Sequence, residues 1–167
     1  MANISPTFPA VTDLKDLSLT QLQTWLADLG VEGYRARQVA RWVFKVGVTH
    51  VSDMTDVPKT LRQTLEQRVH MTQLPGLEIY QASDGTRKLR YHLDDGAAIE
   101  SVLIREPTRL TLCVSTQAGC RIGCAFCLTT KGGLRRHLRP AEIVDQIIQA
   151  RKRLDPNEQL TNLVFMG

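Results

Sequence analysis

The sequence predicts an α/β protein that opens with a small helical bundle, continues with antiparallel strands and then begins a strand, loop, helix and strand unit. Two observations predict this class. Apolar residues recur at helical spacing up to about residue 70, and the period drops to two after Pro75 and Gly76. The predicted segments are a loose tail at 1–13, a helical domain at 14–74, an antiparallel β linker at 75–109 and the start of a larger core at 110–167.

The first helix is predicted by its N-terminal cap and its apolar stripe. Ser18 followed three residues later by Gln21 forms a capping box, and Gly30 is a typical helix stop. Between them the apolar positions are Leu19, Leu22, Leu26 and Leu29. The residues before Asp13 lack periodicity, which predicts the loose tail.

Two further helices complete the bundle. The second is predicted from about Tyr34 to Val46, with an apolar stripe of Val39, Trp42, Val43 and Val46. Its other face is basic through Arg35, Arg37, Arg41 and Lys45. That face fits either a solvated surface or an RNA-docking surface. The third helix is predicted to have Asp56 as its cap and Pro58 in its first turn, with a stripe of Leu61, Leu65 and Val69.

The strands are predicted from alternating apolar residues and from turn sequences. We expect strands at 77–82, 86–93, 97–105 and 110–116, the first three joined by the turns 83–85 (SDG) and 94–96 (DDG). A helix opening at Pro140 has Ile143, Ile147 and Ala150 on one face, and residues 161–166 form a short apolar strand. The last two strands and this helix make one βαβ unit.

The composition is that of a chain able to bury a core. It has 167 residues, of which 43% are hydrophobic, and a net charge of +4. Eight basic and two acidic side chains fall between Gly119 and Arg153, so positive charge is concentrated there. The sequence has neither an apolar run long enough to span a bilayer nor a signal-peptide pattern at Met1. We therefore expect a cytoplasmic protein with no membrane partner.

Three cysteines in one loop are the most informative feature of the chain. Cys120, Cys124 and Cys127 are separated by three and then two residues. Thiolates at this spacing can bind three irons of a [4Fe–4S] cluster and leave the fourth iron without a protein ligand. A zinc site that includes Cys113, seven positions upstream, is possible, although zinc ligands usually come in two short pairs. Disulfides and inert thiols are the remaining alternatives.

This motif and its surroundings resemble the radical S-adenosylmethionine (SAM) RNA methyltransferases that methylate carbon 2 of adenosine. The resemblance covers roughly residues 14–167. It is most specific where a cysteine precedes the three-cysteine motif by seven positions. The similar stretches are 34–39 (YRARQV), 83–86 (SDGT), 112–120 (LCVSTQAGC) and 163–167 (LVFMG).

The resemblance implies roles for single residues. Cys120, Cys124 and Cys127 match the cluster ligands, and Phe126 matches an aromatic residue that packs near the SAM adenine. From the residues alone, Phe126 fits an apolar core equally well.

Two residues upstream of the loop match the residues that complete the reaction. Cys113 matches a cysteine that resolves a covalent protein–RNA intermediate through a transient disulfide, and nearby positive charge would favour its thiolate. Glu100, thirteen positions earlier, matches a proton-accepting glutamate. Read without the resemblance, Cys113 fits a buried strand residue and Glu100 a solvated one.

The resemblance also implies a partial (β/α) barrel, SAM as a cofactor, and 23S rRNA and tRNA as substrates. An electron donor such as flavodoxin or ferredoxin is the further implied partner. Arg135, Arg136 and Arg139, just after the loop, are candidate phosphate contacts, although helix solubility explains them equally well. The alternatives are a methyltransferase of the antibiotic-resistance type that acts on adenosine C8, and a non-catalytic, zinc-stabilised RNA-binding module.

The resemblance stops short of two features of the family. The match ends before the glycine-rich Gly-Glu-Pro segment that binds SAM, and the methyl-carrying cysteine is absent. A lone βαβ unit would also leave strand edges and one sheet face exposed. We therefore expect the intact protein to continue beyond Gly167 and this chain alone to be inactive.

Overall fold

The computed structural model describes residues 8–166, which divide into one unit ending at Thr72 and another beginning at Gln73. The helices of the first unit are α1 (Leu19–Asp28), α2 (Gly33–Ala40) and α3 (Lys59–Arg68), with a π-helix at Arg41–Val46 directly after α2. Short 3₁₀ turns lie at Leu14–Asp16 and Val51–Asp53, and two parallel strands pair at β1 (Thr12–Asp13) and β2 (Val69–His70).

Helix α1 begins as the sequence predicts. Gln21 N donates to Ser18 Oγ at 3.3 Å and Ser18 N donates to Gln21 Oε1 at 2.8 Å, which completes the capping box. Leu22 and Leu26 are fully buried in the core of the first unit. The helix ends before Gly30, whose φ of +72° suits a residue without a side chain.

The predicted second helix is interrupted. The α-helical pattern stops at Ala40, and the next six residues form the π-helix, closed by a bond from Gly47 N to Trp42 O at 2.8 Å. The wider turn points Val46 towards solvent, so its place in the apolar stripe is wrong, whereas Val39 and Val43 are buried. It also brings Trp42 Nε1 within hydrogen-bond reach of Asp56.

The predicted cap of the third helix is wrong. Asp56 accepts hydrogen bonds from Trp42 Nε1 and, at 2.9 Å, from Arg41, so its carboxylate is used across the bundle. Pro58 stands at the cap position of α3, without a capping side chain. The main-chain oxygen of Pro58 accepts from Arg62 N at 2.9 Å and begins the helix.

The loose tail predicted at 1–13 is wrong at its end, and residues 1–7 lie outside the described part of the chain. Thr12 and Asp13 are buried and pair with Val69 and His70. The Asp13 carboxylate accepts from Lys15 N at 3.0 Å and from Thr72 N at 3.3 Å, which ties this segment to the far end of the unit.

The second unit is a five-stranded sheet with one helix. The order of strands is β3 (Glu78–Gln81), β4 (Arg87–His92), β5 (Ala98–Arg105), β6 (Leu110–Ser115) and β9 (Asn162–Met166). All neighbours are antiparallel except β6 and β9, which are parallel and connected through α4 (Pro140–Arg151). The predicted α/β class and the βαβ unit are thus confirmed, and the strands predicted as a linker share this sheet.

The register places alternate residues on opposite faces of the sheet. One face packs on α4 and forms the core with Leu89, Tyr91, Ile99, Leu103, Leu112 and Val114, against which Ile143 and Ile147 pack. The other face has Lys88, Glu100 and Cys113 in neighbouring strands.

The expectation that the strands of the βαβ unit have exposed edges is correct for β9 and wrong for β6. Because β5 pairs with β6, the first strand of the βαβ unit is internal to the sheet. Strand β9 pairs with β6 alone among the described strands, and four of its residues are exposed and apolar, namely Leu163, Val164, Phe165 and Met166. Within residues 8–166 the structure has no helix long and apolar enough to cross a bilayer.

Candidate active site around the cysteine loop

The cysteine loop leaves the sheet at the carboxyl end of β6 and returns through a short antiparallel pair, β7 (Gln117–Gly119) and β8 (Leu134–His137). The two ends of the loop touch at Gly119 and Gly133. Cys120 N donates to Gly133 O at 3.2 Å, and a Cβ placed on Gly119 would lie 2.0 Å from that same oxygen. Gly119 also has a φ of +75°. Only glycine fits there, so the base of the loop is fixed by main-chain contact.

The thiols of the loop are held near its surface by main-chain bonds. Cys127 N donates to Cys124 O at 3.0 Å, and Thr130 Oγ1 donates to Cys127 O at 2.9 Å. Hydrogen bonds from the Thr129 side chain, and then from main-chain groups, lower the pKa of the Cys127 thiol. Cys120 is buried, whereas Cys124 and Cys127 are half-buried.

All four cysteines are free thiols, which contradicts the alternative that they pair with one another as disulfides. Three thiols on one loop are the donor set that an iron–sulfur cluster uses, so the residues fit that group chemically. Across residues 8–166, however, no three His, Cys, Asp or Glu side chains are gathered in a metal-binding arrangement. The loop supplies the ligands without bringing them together, and their assignment as cluster ligands stays a prediction.

Phe126 is the most exposed large hydrophobic side chain of the loop. Its relative exposure is 92%, and Ile122 and Leu128 beside it are also exposed. The alternative that Phe126 belongs to the core is therefore wrong. Three apolar side chains facing outward from a loop of thiols are available to contact a bound ligand.

The structure brings Glu100 and Cys113 to one face of the sheet. Val102 on β5 pairs with Cys113 on β6, and Glu100 lies two residues before Val102 on the same side. Diagonal neighbours of this kind are roughly 7–8 Å apart. The Glu100 carboxylate forms an ion pair with Lys88 Nζ at 3.2 Å, and both side chains are half-exposed.

The pKa of the Cys113 thiol is shifted in the direction opposite to the one expected from nearby positive charge. Cys113 is only 6% exposed, and burial raises the pKa of its thiol. The expected stabilisation of its thiolate by nearby positive charge is therefore not the dominant effect here.

A buried polar network lies behind these two residues, and the sequence prediction missed it. Gln146 is fully buried on α4, and its side chain bonds both main-chain groups of Ser115 at 3.0 Å. Ser101 Oγ donates to Gln146 Oε1 at 3.2 Å, and Ser115 Oγ donates to Glu100 O at 2.7 Å. The available signal was a glutamine at an apolar-stripe position of α4, between Ile143 and Ala150.

Arg136, a candidate phosphate contact, is engaged within the protein. Its guanidinium donates twice to Glu142 at 2.8 Å and once to Asp95. Burial alone raises the pKa of Glu142, but the bonds from Arg136 and from Arg139 N outweigh burial and leave that pKa lowered. This network joins β8, the first turn of α4 and the β4–β5 turn. Arg135 donates to Gly96 O at 3.2 Å in the same turn.

The fold and the loop define a class of protein. The chain superposes on the crystal structure of a radical SAM methyltransferase from Sphaerobacter thermophilus with a TM-score of 0.80 and 40% sequence identity. The alignment covers 92% of this chain and 47% of that chain. At this identity and coverage, the described residues share the fold of about half of a radical SAM methyltransferase.

The family is narrower than the class. Residues 12–71 match the model of the ribosomal RNA large subunit methyltransferase N-terminal domain. The chain is 41% identical over 166 residues to the probable dual-specificity RNA methyltransferase RlmN of Geobacillus kaustophilus, covering 99% of this chain and 46% of that protein. It is 44% identical over 161 residues to the dual-specificity RNA methyltransferase RlmN of Anaeromyxobacter dehalogenans, covering 93% and 43%.

Nearly the whole chain matches RlmN proteins at 41–44% identity, which confirms the resemblance found in the sequence. It spans a little under half the length of the curated relatives that it matches. The matched family domain, residues 12–71, coincides with the helical unit, in which β1 and β2 are the first and last paired segments.

Proposed function

We propose that this chain forms part of a radical SAM methyltransferase that methylates carbon 2 of adenosine in 23S rRNA and tRNA through a methyl-cysteine intermediate. One observation carries the proposal. A loop of three thiols leaves the carboxyl end of β6, while Cys113 and Glu100 lie on one face of the strands that lead to it. The names of the relatives supply the substrate class, which is RNA. The βαβ unit would be the first part of a partial (β/α) barrel.

Cys120, Cys124 and Cys127 would hold a [4Fe–4S] cluster through its three ligated irons. When bound, this group supplies the one-electron chemistry that cleaves SAM, for which a flavodoxin or ferredoxin would provide the electron. Such chemistry is needed because the adenine C2–H bond is not acidic enough for methylation by simple displacement. Phe126, exposed beside the ligands, would pack against the SAM adenine.

Cys113 and Glu100 would complete the reaction. The Cys113 thiolate attacks the sulfur of the methyl-carrying cysteine, which is not among the four cysteines of this chain. A transient disulfide forms and the carbon–sulfur bond to the base breaks. The electron pair of that bond stays on carbon, which takes up a proton and becomes the methyl group. Before this cleavage, the methylene carbon bonds to C2 by radical addition, Glu100 accepts the proton that leaves C2, and a one-electron acceptor takes up the electron that the addition leaves on the ring. A thiol reductant would afterwards reduce the disulfide at Cys113.

The helical unit would bind RNA. On the basic surface of α2 and the π-helix, Arg35 Cζ lies 4.5 Å from the centroid of the Tyr34 ring. Arg41 Cζ lies 4.9 Å from the centroid of the Trp42 ring, while its guanidinium also donates to Asp56. Paired cationic and aromatic side chains suit phosphates and unstacked bases. The target base must leave its stack before it can react, so part of the binding energy is used for extrusion. Activity on ribosomal and transfer RNA would place the enzyme in the cytoplasm.

Two measurements test the proposal. After anaerobic purification, the protein should contain iron and sulfide and absorb broadly near 400 nm (roughly, as such clusters do). Stoichiometric zinc would instead favour the zinc-stabilised RNA-binding module. Nucleoside analysis of RNA from cells with and without the gene should find 2-methyladenosine only with it. A methyl group at C8 would identify the other methyltransferase, and unmodified adenosine would contradict the proposal.

A further inference from the structure

We propose that Ser115 and Gln146 are positioning residues that set the separation of Glu100 from Cys113, an inference that rests on the proposed function. Neither residue would touch the substrate. They would act through the backbone of the strands that carry the two reacting side chains.

The backbone ladder between β5 and β6 does not extend to Glu100. It pairs Arg105 with Leu110 at one end, and its last pair at the other end is Val102 with Cys113. Glu100 and Ser115 lie two residues beyond that last pair. Glu100 pairs with Arg90 on β4 and Ser115 with Met166 on β9, but between β5 and β6 their separation is set by groups other than ladder bonds.

Side-chain bonds take over where the ladder stops. Ser115 Oγ donates to Glu100 O at 2.7 Å, so a hydroxyl replaces the main-chain donor that a longer ladder would supply. Ser115 N donates instead to Gln146 Oε1 at 3.0 Å. The main chain of Glu100 is thus joined to β6 through one side chain.

Gln146 fixes the other end of this connection. It is 0% exposed, and its amide donates to Ser115 O at 3.0 Å and to Glu142 O at 3.3 Å. Its carbonyl oxygen also accepts from Ser101 Oγ, one residue after Glu100. Because these groups are buried and bonded, helix α4 determines where β6 ends relative to β5.

The chemical consequence concerns the last steps of the reaction. Proton removal and thiol attack both require groups held within a fraction of an ångström of their productive positions. Ser115→Ala removes the bond to Glu100 O and leaves the bonds of Gln146 to the Ser115 main chain in place. Proton transfer to Glu100 and resolution by Cys113 should slow, whereas the earlier consumption of SAM should not.

The first experiment uses the complete methyltransferase, radiolabelled RNA and a denaturing gel. Ser115→Ala should accumulate the covalent protein–RNA species, with its decay about tenfold slower than in the wild type. Ser115→Thr, which keeps a hydroxyl, should restore most of the rate. SAM cleavage should be equal in all three proteins. Wild-type decay in Ser115→Ala would overturn the positioning role while leaving the methyltransferase proposal intact.

If the wild type itself forms no methyladenosine, the proposed function fails, and that outcome is distinct from the one above. A second readout does not depend on turnover. Alkylation of Cys113 by iodoacetamide in the folded chain should become several-fold faster in Ser115→Ala, because β5 and β6 are held together less firmly there. Thr111→Ala, on the same strand but inside the ladder, is the matched control and should leave the rate unchanged. Equal rates in all three proteins would count against the inference.

Gln146→Met tests the other half of the connection at similar side-chain volume. It leaves both main-chain groups of Ser115 without their partner, so its thermal unfolding and circular dichroism must be recorded first. A folded Gln146→Met protein should accumulate the covalent species at least as strongly as Ser115→Ala. Rapid resolution in that folded variant would contradict the role of Gln146.

Discussion

The strands that carry Glu100 and Cys113 and the loop that carries the other three cysteines belong to one candidate site but are built in opposite ways. Cys113 is 6% exposed in a paired strand, whereas Phe126, within the loop, is 92% exposed. Glu100 and Cys113 are positioned by the pairing of their strands. The loop is closed at its base by Gly119 and Gly133 and is otherwise held by a few bonds of its own, such as Cys127 N to Cys124 O.

The largest effect should follow a change at a loop ligand. Cys124→Ala should abolish the iron and sulfide content and the absorption near 400 nm (roughly), because two thiolates do not hold the cluster. The unfolding free energy of the metal-free chain should change by less than about 1 kcal/mol, since Cys124 is half-buried on the loop. Cys113→Ala is the control and should keep full iron content. A full cluster in Cys124→Ala would refute the ligand assignment.

The base of the loop offers the next largest effect. Gly119→Ala should destabilise the chain by about 3 kcal/mol or more, because its φ is positive and its Cβ would overlap Gly133 O. Gly123 also has a positive φ, but no atom lies within 4 Å of its added Cβ, so Gly123→Ala should cost only about 1–2 kcal/mol. Urea unfolding compares the two variants. Equal losses would mean that the contact at the base is unimportant.

A pH-dependent effect should come from the network beside the loop. The folded-state pKa of Glu142 is lowered below 4.5, so its carboxylate adds stability above that pH and loses it as the pH falls through the lower value. Glu142→Gln should reduce the unfolding free energy by about 1–3 kcal/mol at pH 7 and flatten its fall between roughly pH 5 and 3. Glu106→Gln, which alters an exposed pair with Arg109, should change little. An unaltered acid profile in Glu142→Gln would contradict this account.

The smallest effect is expected at Lys88. Its ion pair with Glu100 joins two half-exposed side chains, so Lys88→Met should alter the unfolding free energy by less than about 1 kcal/mol. Chemical denaturation at low and high salt provides the measurement. A loss well above this limit, or one insensitive to salt, would show that the pair is better shielded from water than its exposure indicates.

The sequence predicts those parts of the fold that depend on neighbouring residues. The capping box at Ser18, the turn glycines at Gly85 and Gly96 and the proline opening α4 each act within a few positions, and the structure has all of these features. The strands between Glu78 and Ser115 end within a residue or two of their predicted limits.

The remaining features depend on partners far along the chain. Asp56 is engaged by Arg41 and Trp42, so its role as a cap was wrong. The pairing of Thr12 with Val69 links residues at opposite ends of the first unit. Local patterns carry no information about such contacts, and the pairing of Arg136 with Glu142 is another of this kind.

The candidate site divides in the same way. The spacing that predicts the three loop cysteines as cluster ligands is a local property, whereas the shared face of Glu100 and Cys113 requires the register of two strands. In the sequence, Gln146 is recognisable only as a polar residue within the apolar stripe of α4. Its partners in Ser115 lie on β6, and the packing of α4 against that strand is not encoded in any local pattern.

The π-helix at Arg41–Val46 affects how this protein tolerates changes in length. It holds an additional residue in one turn, so deleting one residue there would allow a regular α-helix to run on. Because the wider turn absorbs the extra residue, the α-helical residues before it would keep their register, and the change would be confined to Arg41–Val46. The Trp42 ring reaches Asp56 from within that turn, so a shorter but more regular helix would lose the connection that joins it to the segment before α3.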